Sequence, residues 1–230
     1  MTAPAPEPVT TLLVIAKQPV PGRVKTRLVP PCTHEQAAAL AEAALADTLH
    51  TAAMVPARRR VLVLDGEPGP WLPPGFDIVP QCGGPLDERL AAAFAAVSGP
   101  ALLIGMDTPQ VTPGLLTVDW QDADAVFGPA ADGGFWALGL RVPDPALLRG
   151  VPMSTASTGA VQRARLLAAG LRVADLPVLR DVDTAADAVA VARQAPRGRF
   201  AARVRELAAV LSPAGREGDV IGESALGATA

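Results

Sequence analysis

Four cationic side chains fall within residues 17–27 of a chain that is acidic overall, with 20 Lys and Arg against 23 Asp and Glu. They are Lys17, Arg23, Lys25 and Arg27. An ammonium group supplies a compact charge and a guanidinium a planar fork, so the mixture can hold several phosphate oxygens at once. The segment therefore predicts a site for a phosphate chain. A solvated basic loop is the alternative that the residues alone leave open.

The same segment differs from the common phosphate-binding loops. It contains neither the GxxxxGK[ST] pattern nor the GxGxxG fingerprint; instead, two prolines stiffen its backbone and a glycine permits an unusual turn. The residues assigned to nucleotide and phosphate binding are Ala16, Lys17, Pro21, Gly22, Arg23, Lys25 and Arg27.

Three aspartates could hold a metal ion beside these cations. Asp107 directly follows a short apolar run, and Asp181 and Asp183 flank Val182 just before a predicted helix. Mg²⁺ prefers a few carboxylates together with water and substrate phosphates. We therefore predict that these aspartates bind Mg²⁺ (or Mn²⁺), with Lys25, Arg27 and Asp107 as the catalytic groups. A helix cap is the alternative for Asp183, and a turn position is the alternative for Asp107.

Two further segments are candidates for binding the acceptor of a transferred group. Asp132, Gly133, Gly134, Phe135 and Trp136 form a Gly-rich turn, which allows close approach of a ligand but is equally consistent with a hairpin. The hydroxyls of Ser154 and Thr155 precede a predicted helix, where anions are favoured and where simple capping is also common.

Hydrophobic runs, caps and turn residues predict the elements that position these groups. Strands that alternate with helices across short loops predict an α/β fold with a doubly wound, mainly parallel sheet, in which ligands bind beyond the carboxyl ends of the strands. The predicted strands are residues 11–16, 60–64, 76–79, 101–105, 125–128, 135–140 and 171–175, and the predicted helices are 33–54, 86–97, 157–169, 184–193 and 199–211, with another opening at Thr112-Pro113.

Length and charge limit the class of protein. The 230 residues fit one large domain, predicted at 11–211, with a flexible leader at 1–10 and a disordered tail at 212–230. A net charge of −3 argues against a general nucleic-acid binder, and no apolar run is long enough to span a membrane. Two isolated thiols, Cys32 and Cys82, and the lack of a signal-peptide pattern predict a cytoplasmic location. A homodimer is compatible with the sequence.

Four strings occur in one order that is typical of a known group: Ala16-Lys17 to Arg27-Leu28, Ile104 to Pro109, Asp132 to Leu140, and Asp181-Val182-Asp183-Thr184. On these residues the chain resembles, over about residues 11–211, a bacterial family of poorly characterised transferases. That family is usually named glycosyltransferase-like and has the nucleotide-diphospho-sugar transferase (GT-A, Rossmann-like) fold. The chain is also distantly similar to the 2-phospho-L-lactate or phosphoenolpyruvate guanylyltransferases and the molybdenum-cofactor nucleotidyltransferases.

The resemblance implies roles for residues that the charge pattern also selects. In the guanylyltransferases a Lys-Thr-Arg-Leu segment lies by the nucleotide, which corresponds to residues 25–28 here, and three aspartates that bind metal correspond to Asp107, Asp181 and Asp183. The chain departs from the pattern in three places. A Pro-Val-Pro-Gly loop replaces a Gly-rich opening, Thr108 stands where Cys or Ser is frequent, and Phe135-Trp136 stands where Tyr is common.

Three functions are compatible with these features. The first is a Mg²⁺-dependent nucleotidyltransferase that joins an NTP to a small phosphorylated acceptor and releases pyrophosphate, which the dense cation loop and the Asp-Val-Asp-Thr element favour. The second is a glycosyltransferase that uses an NDP-sugar, which the usual name of the family favours. The third is a nucleotide-binding domain without turnover. The sequence specifies neither the base nor the acceptor.

Overall fold

A computed structural model describes residues 10–211, so the predicted leader and tail lie almost wholly outside the described residues. The strands are β1 (Thr11–Lys17), β2 (Arg59–Asp65), β3 (Asp77–Pro80), β4 (Ala101–Ile104), β5 (Ala125–Pro129), β6 (Phe135–Leu140) and β7 (Val173–Asp175). The helices are α1 (His34–Met54), α2 (Leu86–Ala95), α3 (Thr158–Ala168), α4 (Ala185–Gln194), α5 (Arg199–Glu206) and α6 (Ala208–Leu211).

The seven strands form one sheet in the order β3-β2-β1-β4-β6-β5-β7. Every strand except β6 runs parallel to at least one neighbour, while β6 runs antiparallel to both β4 and β5. This architecture confirms the predicted α/β fold with a mainly parallel sheet. The chain moves from β1 to β2 on one side and later returns to place β4 on the other side of β1. The carboxyl ends of β1 and β4 therefore flank a topological switch point, where α/β sheets commonly bind ligands.

Burial on both faces explains why β1 is a continuous apolar run. Leu12 and Val14 pack into a core with α1, and Leu13 packs into the core on the opposite face with α2. A third core lies on the outer side of α1, where α4 and α5 pack against it; Leu28 from the loop after β1 is buried there. That contact fixes the end of the cation-rich loop to the body of the protein.

Helix starts follow the predicted caps in two places. Thr33 and Gln36 form a reciprocal capping box at α1, and Thr184 and Asp187 form another at α4. The interpretation of Asp183 as a cap is therefore wrong, because Thr184 accepts the bond from the Asp187 N–H and the Asp183 carboxylate points elsewhere.

Two predicted helices are shorter or broken. The helix expected at Thr112-Pro113 is a single 3-10 turn, Pro113–Leu116, because Gly114 and the β-branched residues after it favour helix weakly. The expected helix 199–211 is divided into α5 and α6 at Leu207. Among residues 10–211, no helix combines the length and apolarity needed to cross a bilayer.

Candidate functional site

Two buried residues fix the loop after β1 so that its cations lie at the sheet edge. Val24 and Leu28 are buried on either side of Lys25 and Arg27, so the intervening charged side chains are held at a fixed place. Lys25 has the left-handed backbone conformation, with φ 47 and ψ 40, which non-glycine residues seldom adopt. Such a conformation persists only where surrounding contacts determine it.

Those contacts are carboxylates from two distant parts of the chain. The Lys25 ammonium donates to Asp107 Oδ2 at 2.6 Å and to Asp183 Oδ1 at 3.1 Å. Arg27 donates to the other oxygen of Asp183 at 3.1 Å. Only 10% of the Lys25 side chain is exposed, so its ammonium is largely desolvated, whereas the side chains of Asp107 and Asp183 are partly exposed and that of Arg27 is exposed. Burial lowers the pKa of Lys25, but the two aspartates outweigh that effect and raise it above its ordinary value.

Hydrogen bonds to backbone carbonyls hold the segment with Asp181 and Asp183 beside the end of β4. The Val182 N–H donates to the Asp107 carbonyl at 3.1 Å, and the Gln110 side chain donates to the Arg180 carbonyl at 2.7 Å. Val182 is buried in the third core, and its flanking aspartates turn toward the sheet edge. The apolar residue in the Asp-Val-Asp element thus anchors the acids around it.

Asp181 carries the most perturbed carboxyl group at this edge. Burial raises its pKa to about 8, and the neighbouring Asp107 and Asp132 carboxylates contribute in the same direction. Its Oδ1 is buried without a hydrogen-bond partner. A neutral carboxyl group is therefore favoured here at neutral pH, whereas a bound cation would favour its ionised form.

The raised pKa gives a testable effect on stability. The unfolded state loses the Asp181 proton near the ordinary pKa of 3.8, whereas the folded state keeps it up to a pKa of about 8. This group therefore makes stability fall as the pH rises from the lower pKa to the higher one. We expect Asp181→Asn to raise the free energy of unfolding by about 2 kcal/mol at about pH 8 and by much less at about pH 5. Urea unfolding at both pH values measures this difference. Exposed Asp122→Asn is the control, and an equal gain at both pH values would contradict the assignment.

A cavity of about 430 Å³ opens at this edge and collects residues from all the predicted segments. Most predicted site residues line it, whereas Pro21, Gly22 and Gly133 are not part of its wall. The predicted residues in its wall are Ala16, Lys17, Arg23, Lys25, Arg27, Asp107, Asp132, Gly134, Phe135, Trp136, Ser154, Thr155, Asp181 and Asp183.

The turn at residues 132–134 is fastened to the start of α3. Gly133 has φ +91, and a Cβ there would lie 2.1 Å from the Ala156 carbonyl oxygen. The Gly159 N–H donates to the Gly133 carbonyl at 2.8 Å, and a Cβ on Gly159 would lie 2.4 Å from the Gly134 carbonyl oxygen. Close backbone contact therefore explains both glycines. Trp136 is buried, and its indole N–H donates to the Pro177 carbonyl at 3.1 Å.

Two polar residues of the cavity wall, Gln81 and Arg89, lie on segments for which the sequence predicts no site. Arg89 lines the cavity with a quarter of its side chain exposed and donates to the Gly84 carbonyl at 2.8 Å. Gln81 donates from its side chain to the carbonyls of Ala16 and Val63, at 2.7 and 3.1 Å. Gln81 directly follows β3, so the rule that sites form beyond carboxyl ends could have identified it.

The three aspartates do not form a preassembled metal cage. Within residues 10–211, no three His, Cys, Asp or Glu side chains are grouped closely enough to hold a metal ion. The Lys25 ammonium lies between the Asp107 and Asp183 carboxylates. The chemistry of the donors still suits a hard divalent cation, because carboxylate oxygens dominate and the buried Asp181 Oδ1 has no partner.

Comparison with known proteins places this geometry in context. The family model described as "Uncharacterized protein conserved in bacteria (DUF2064)" matches residues 36–155. The sequence matches no curated protein. A crystal structure from Desulfovibrio desulfuricans G20, provisionally named a nucleotide-diphospho-sugar transferase, is 28% identical with a TM-score of 0.79 and covers 88% of this chain and 96% of its own.

More distant structures share the fold alone. A CMP:2-keto-3-deoxy-manno-octonic acid synthetase complexed with CTP is 13% identical, with a TM-score of 0.52 over 86% of this chain and 100% of its own. The 2-C-methyl-D-erythritol 4-phosphate cytidylyltransferase from Thermus thermophilus is 19% identical, with a TM-score of 0.51 over 82% of this chain and 99% of its own. These three structures are thus two nucleotidyltransferases and a provisionally named nucleotide-diphospho-sugar transferase, and their fold is the predicted one.

Proposed function

Because the chain belongs to the uncharacterised bacterial family DUF2064 and places cations and acids around one cavity at the switch point, we propose that it is a nucleotide-dependent transferase. Its reaction in this proposal is nucleotidyl transfer from an NTP to a small phosphorylated acceptor, with release of pyrophosphate. One observation carries the proposal: the cations of residues 17–27 line a single cavity together with Asp107, Asp181 and Asp183. That juxtaposition suits a phosphate chain held between cations and a metal-binding edge.

The cations divide into two groups. Lys25 and Arg27 are engaged by Asp107 and Asp183, while Lys17 and Arg23 form no ion pair with any residue between 10 and 211. Lys17 and Arg23 are exposed on the cavity wall, so their charge is available to an incoming anion. We assign them to the β- and γ-phosphates of the bound nucleotide, which leave as pyrophosphate, so that their contacts already form in the ground state.

The acids would hold a divalent cation, Mg²⁺ or Mn²⁺, through Asp107, Asp181 and Asp183. When bound, the ion supplies neutralisation of charge on the reacting phosphate. The turn at residues 132–136, with Ser154 and Thr155, orients the acceptor in this proposal. A phosphate oxygen of the acceptor forms a bond to the α-phosphorus, and the bond from that phosphorus to the bridging oxygen breaks. An acceptor that is already an anion has no proton to lose, so no general base is needed.

Glycosyl transfer from an NDP-sugar is the second candidate. The Desulfovibrio structure favours it, because that protein is 28% identical to this chain and is provisionally named a nucleotide-diphospho-sugar transferase. In this alternative the same cations and aspartates bind the diphosphate of the donor, and the turn at residues 132–136 binds the sugar acceptor. A nucleotide-binding domain without turnover is the third possibility.

Product analysis separates these functions. The protein is incubated with each NTP, Mg²⁺ or Mn²⁺ and a panel of small phosphorylated acids, and pyrophosphate is quantified; in parallel it is incubated with NDP-sugars and acceptors, and NDP is quantified. Metal-dependent pyrophosphate release, with a nucleotidylated product seen by mass spectrometry, supports the first candidate. NDP release alone supports the second, and nucleotide binding without either product supports the third.

The assignment of Arg23 predicts a defined kinetic effect. Arg23→Met should raise the KM for the nucleotide by about tenfold, with a smaller change in kcat, because it removes a charge-assisted contact to phosphate and leaves the carboxylates intact. The change in KM is measured by steady-state kinetics with the nucleotide that the product analysis identifies. Arg193→Met, at an exposed position of α4 outside the cavity wall, is the matched control. Equal KM values for the two variants would remove Arg23 from the phosphate site.

A further inference from the structure

The Lys25 ammonium contacts two of the carboxylates that we assign to metal binding. It lies 2.6 Å from one oxygen of Asp107 and 3.1 Å from one oxygen of Asp183, the distances of direct charge-assisted hydrogen bonds. These carboxylates come from residues that are 82 and 158 positions away in the sequence. The ammonium is thus the cation around which two of the three proposed metal ligands converge.

The rest of the loop holds Lys25 in that place. The left-handed backbone at Lys25, between the buried Val24 and Leu28, directs its side chain toward the acids rather than toward solvent. Arg27 binds the second oxygen of Asp183, so both oxygens of that carboxylate are engaged by cations. Asp181 receives neither cation directly, and its Oδ1 is buried without a partner.

We propose that Lys25 is an internal counter-ion that excludes divalent cations from Asp107 and Asp183 until a nucleotide enters the cavity. The proposal rests on the proposed function for the identity of the incoming ligand. Phosphate oxygens then accept the hydrogen bonds of the Lys25 ammonium, and the two carboxylates are released to the divalent cation. Nucleotide and metal consequently increase each other's affinity by the same factor.

Metal binding in the absence of nucleotide tests this exchange directly. Free Mn²⁺ is measured by electron paramagnetic resonance during titration of the nucleotide-free, full-length protein. The wild type should bind Mn²⁺ weakly, and Lys25→Met should bind it at least about tenfold more tightly, because Asp107 loses its ion-pair partner and Asp183 keeps only the exposed Arg27. Lys25→Arg, which keeps a positive charge, should remain weak. Lys25→Gln is used if the methionine variant fails to fold.

The matched control removes an equivalent ion pair elsewhere. Arg163 pairs with Asp175 at 2.6 Å outside the cavity wall, so Arg163→Met changes the net charge equally and should leave Mn²⁺ binding as in the wild type. Adding Asp183→Asn to Lys25→Met should remove the gained affinity. A folded Lys25→Met protein, or its glutamine substitute, that binds Mn²⁺ no more tightly than the wild type overturns the proposal.

The outcome is separable from that of the proposed function. If Lys25→Met gains Mn²⁺ affinity and the wild type has no activity with any NTP or NDP-sugar, the counter-ion role stands and the transferase function fails. If the wild type shows metal-dependent turnover and Lys25→Met gains no affinity for Mn²⁺, the transferase function stands and the counter-ion role fails.

Discussion

Asp107→Asn is expected to lower kcat/KM by about 10³-fold, equivalent to about 4 kcal/mol of transition-state stabilisation. Asparagine retains the size of the side chain and one acceptor oxygen, but it removes the negative charge. That charge pairs with Lys25, and we propose that it also binds the divalent cation. The fold should survive, because Lys25 keeps its contact with Asp183 and the Asp107 backbone carbonyl still accepts from Val182. The rate of formation of the product identified by the substrate screen measures the effect.

Two controls make the result specific to the site. Asp77→Asn, at an exposed position of β3 outside the cavity wall, removes the carboxylate that pairs with Arg59 of β2 and should leave kcat/KM unchanged. Thermal unfolding should give midpoints for Asp107→Asn and the wild type that agree within about 5 °C, which corresponds to about 1 to 2 kcal/mol for a chain of this size. Turnover of Asp107→Asn at the wild-type rate would exclude Asp107 from the chemistry.

Gly133→Ala is expected to reduce the free energy of unfolding by about 3 kcal/mol or more. Two effects combine at this position. The backbone has φ +91, and the added methyl would lie 2.1 Å from the Ala156 carbonyl oxygen, which is backbone and cannot rotate away. This clash can be relieved only if the turn at residues 132–134 separates from the start of α3. Urea unfolding monitored by circular dichroism measures the loss.

Gly150→Ala isolates the backbone effect from the steric one. Gly150 also has positive φ, +73, but a Cβ there would meet no atom within 4 Å. Its substitution should cost only about 1 to 2 kcal/mol, the penalty for a left-handed non-glycine residue. Equal costs for Gly133→Ala and Gly150→Ala would show that the turn yields without strain, and the close packing at Ala156 would then have no energetic role.

The elements of the fold follow closely from local sequence. The apolar run of β1, the caps at Thr33 and Thr184, and the Asp-Gly turn between β5 and β6 each specify their structure through neighbouring residues alone. The wrongly predicted length of one helix also has a local cause. Thr112-Pro113 carries the signal for a helix start, but the residues after it have too low a helix propensity to continue beyond one 3-10 turn.

At the site, the order of residues was enough to predict which charges lie on which loops, and that loops following strands share one edge of the sheet. Cations at Lys17 to Arg27 and acids at Asp107 and Asp183 were identifiable because charge type and strand position are properties of short segments. Parallel strands then bring those segments together whatever the details of packing.

The contacts between these groups are set by the tertiary structure. The pairing of Lys25 with Asp107 and Asp183, the burial of Asp181 Oδ1, and the entry of Arg89 into the cavity wall each depend on residues far apart in the chain. Hydrogen bonds and desolvation act over a few ångströms, and sequence spacing does not set distances of that order between loops. Local sequence therefore specified the chemical groups, and packing of the sheet, α1 and the C-terminal helices set their charge state and contacts.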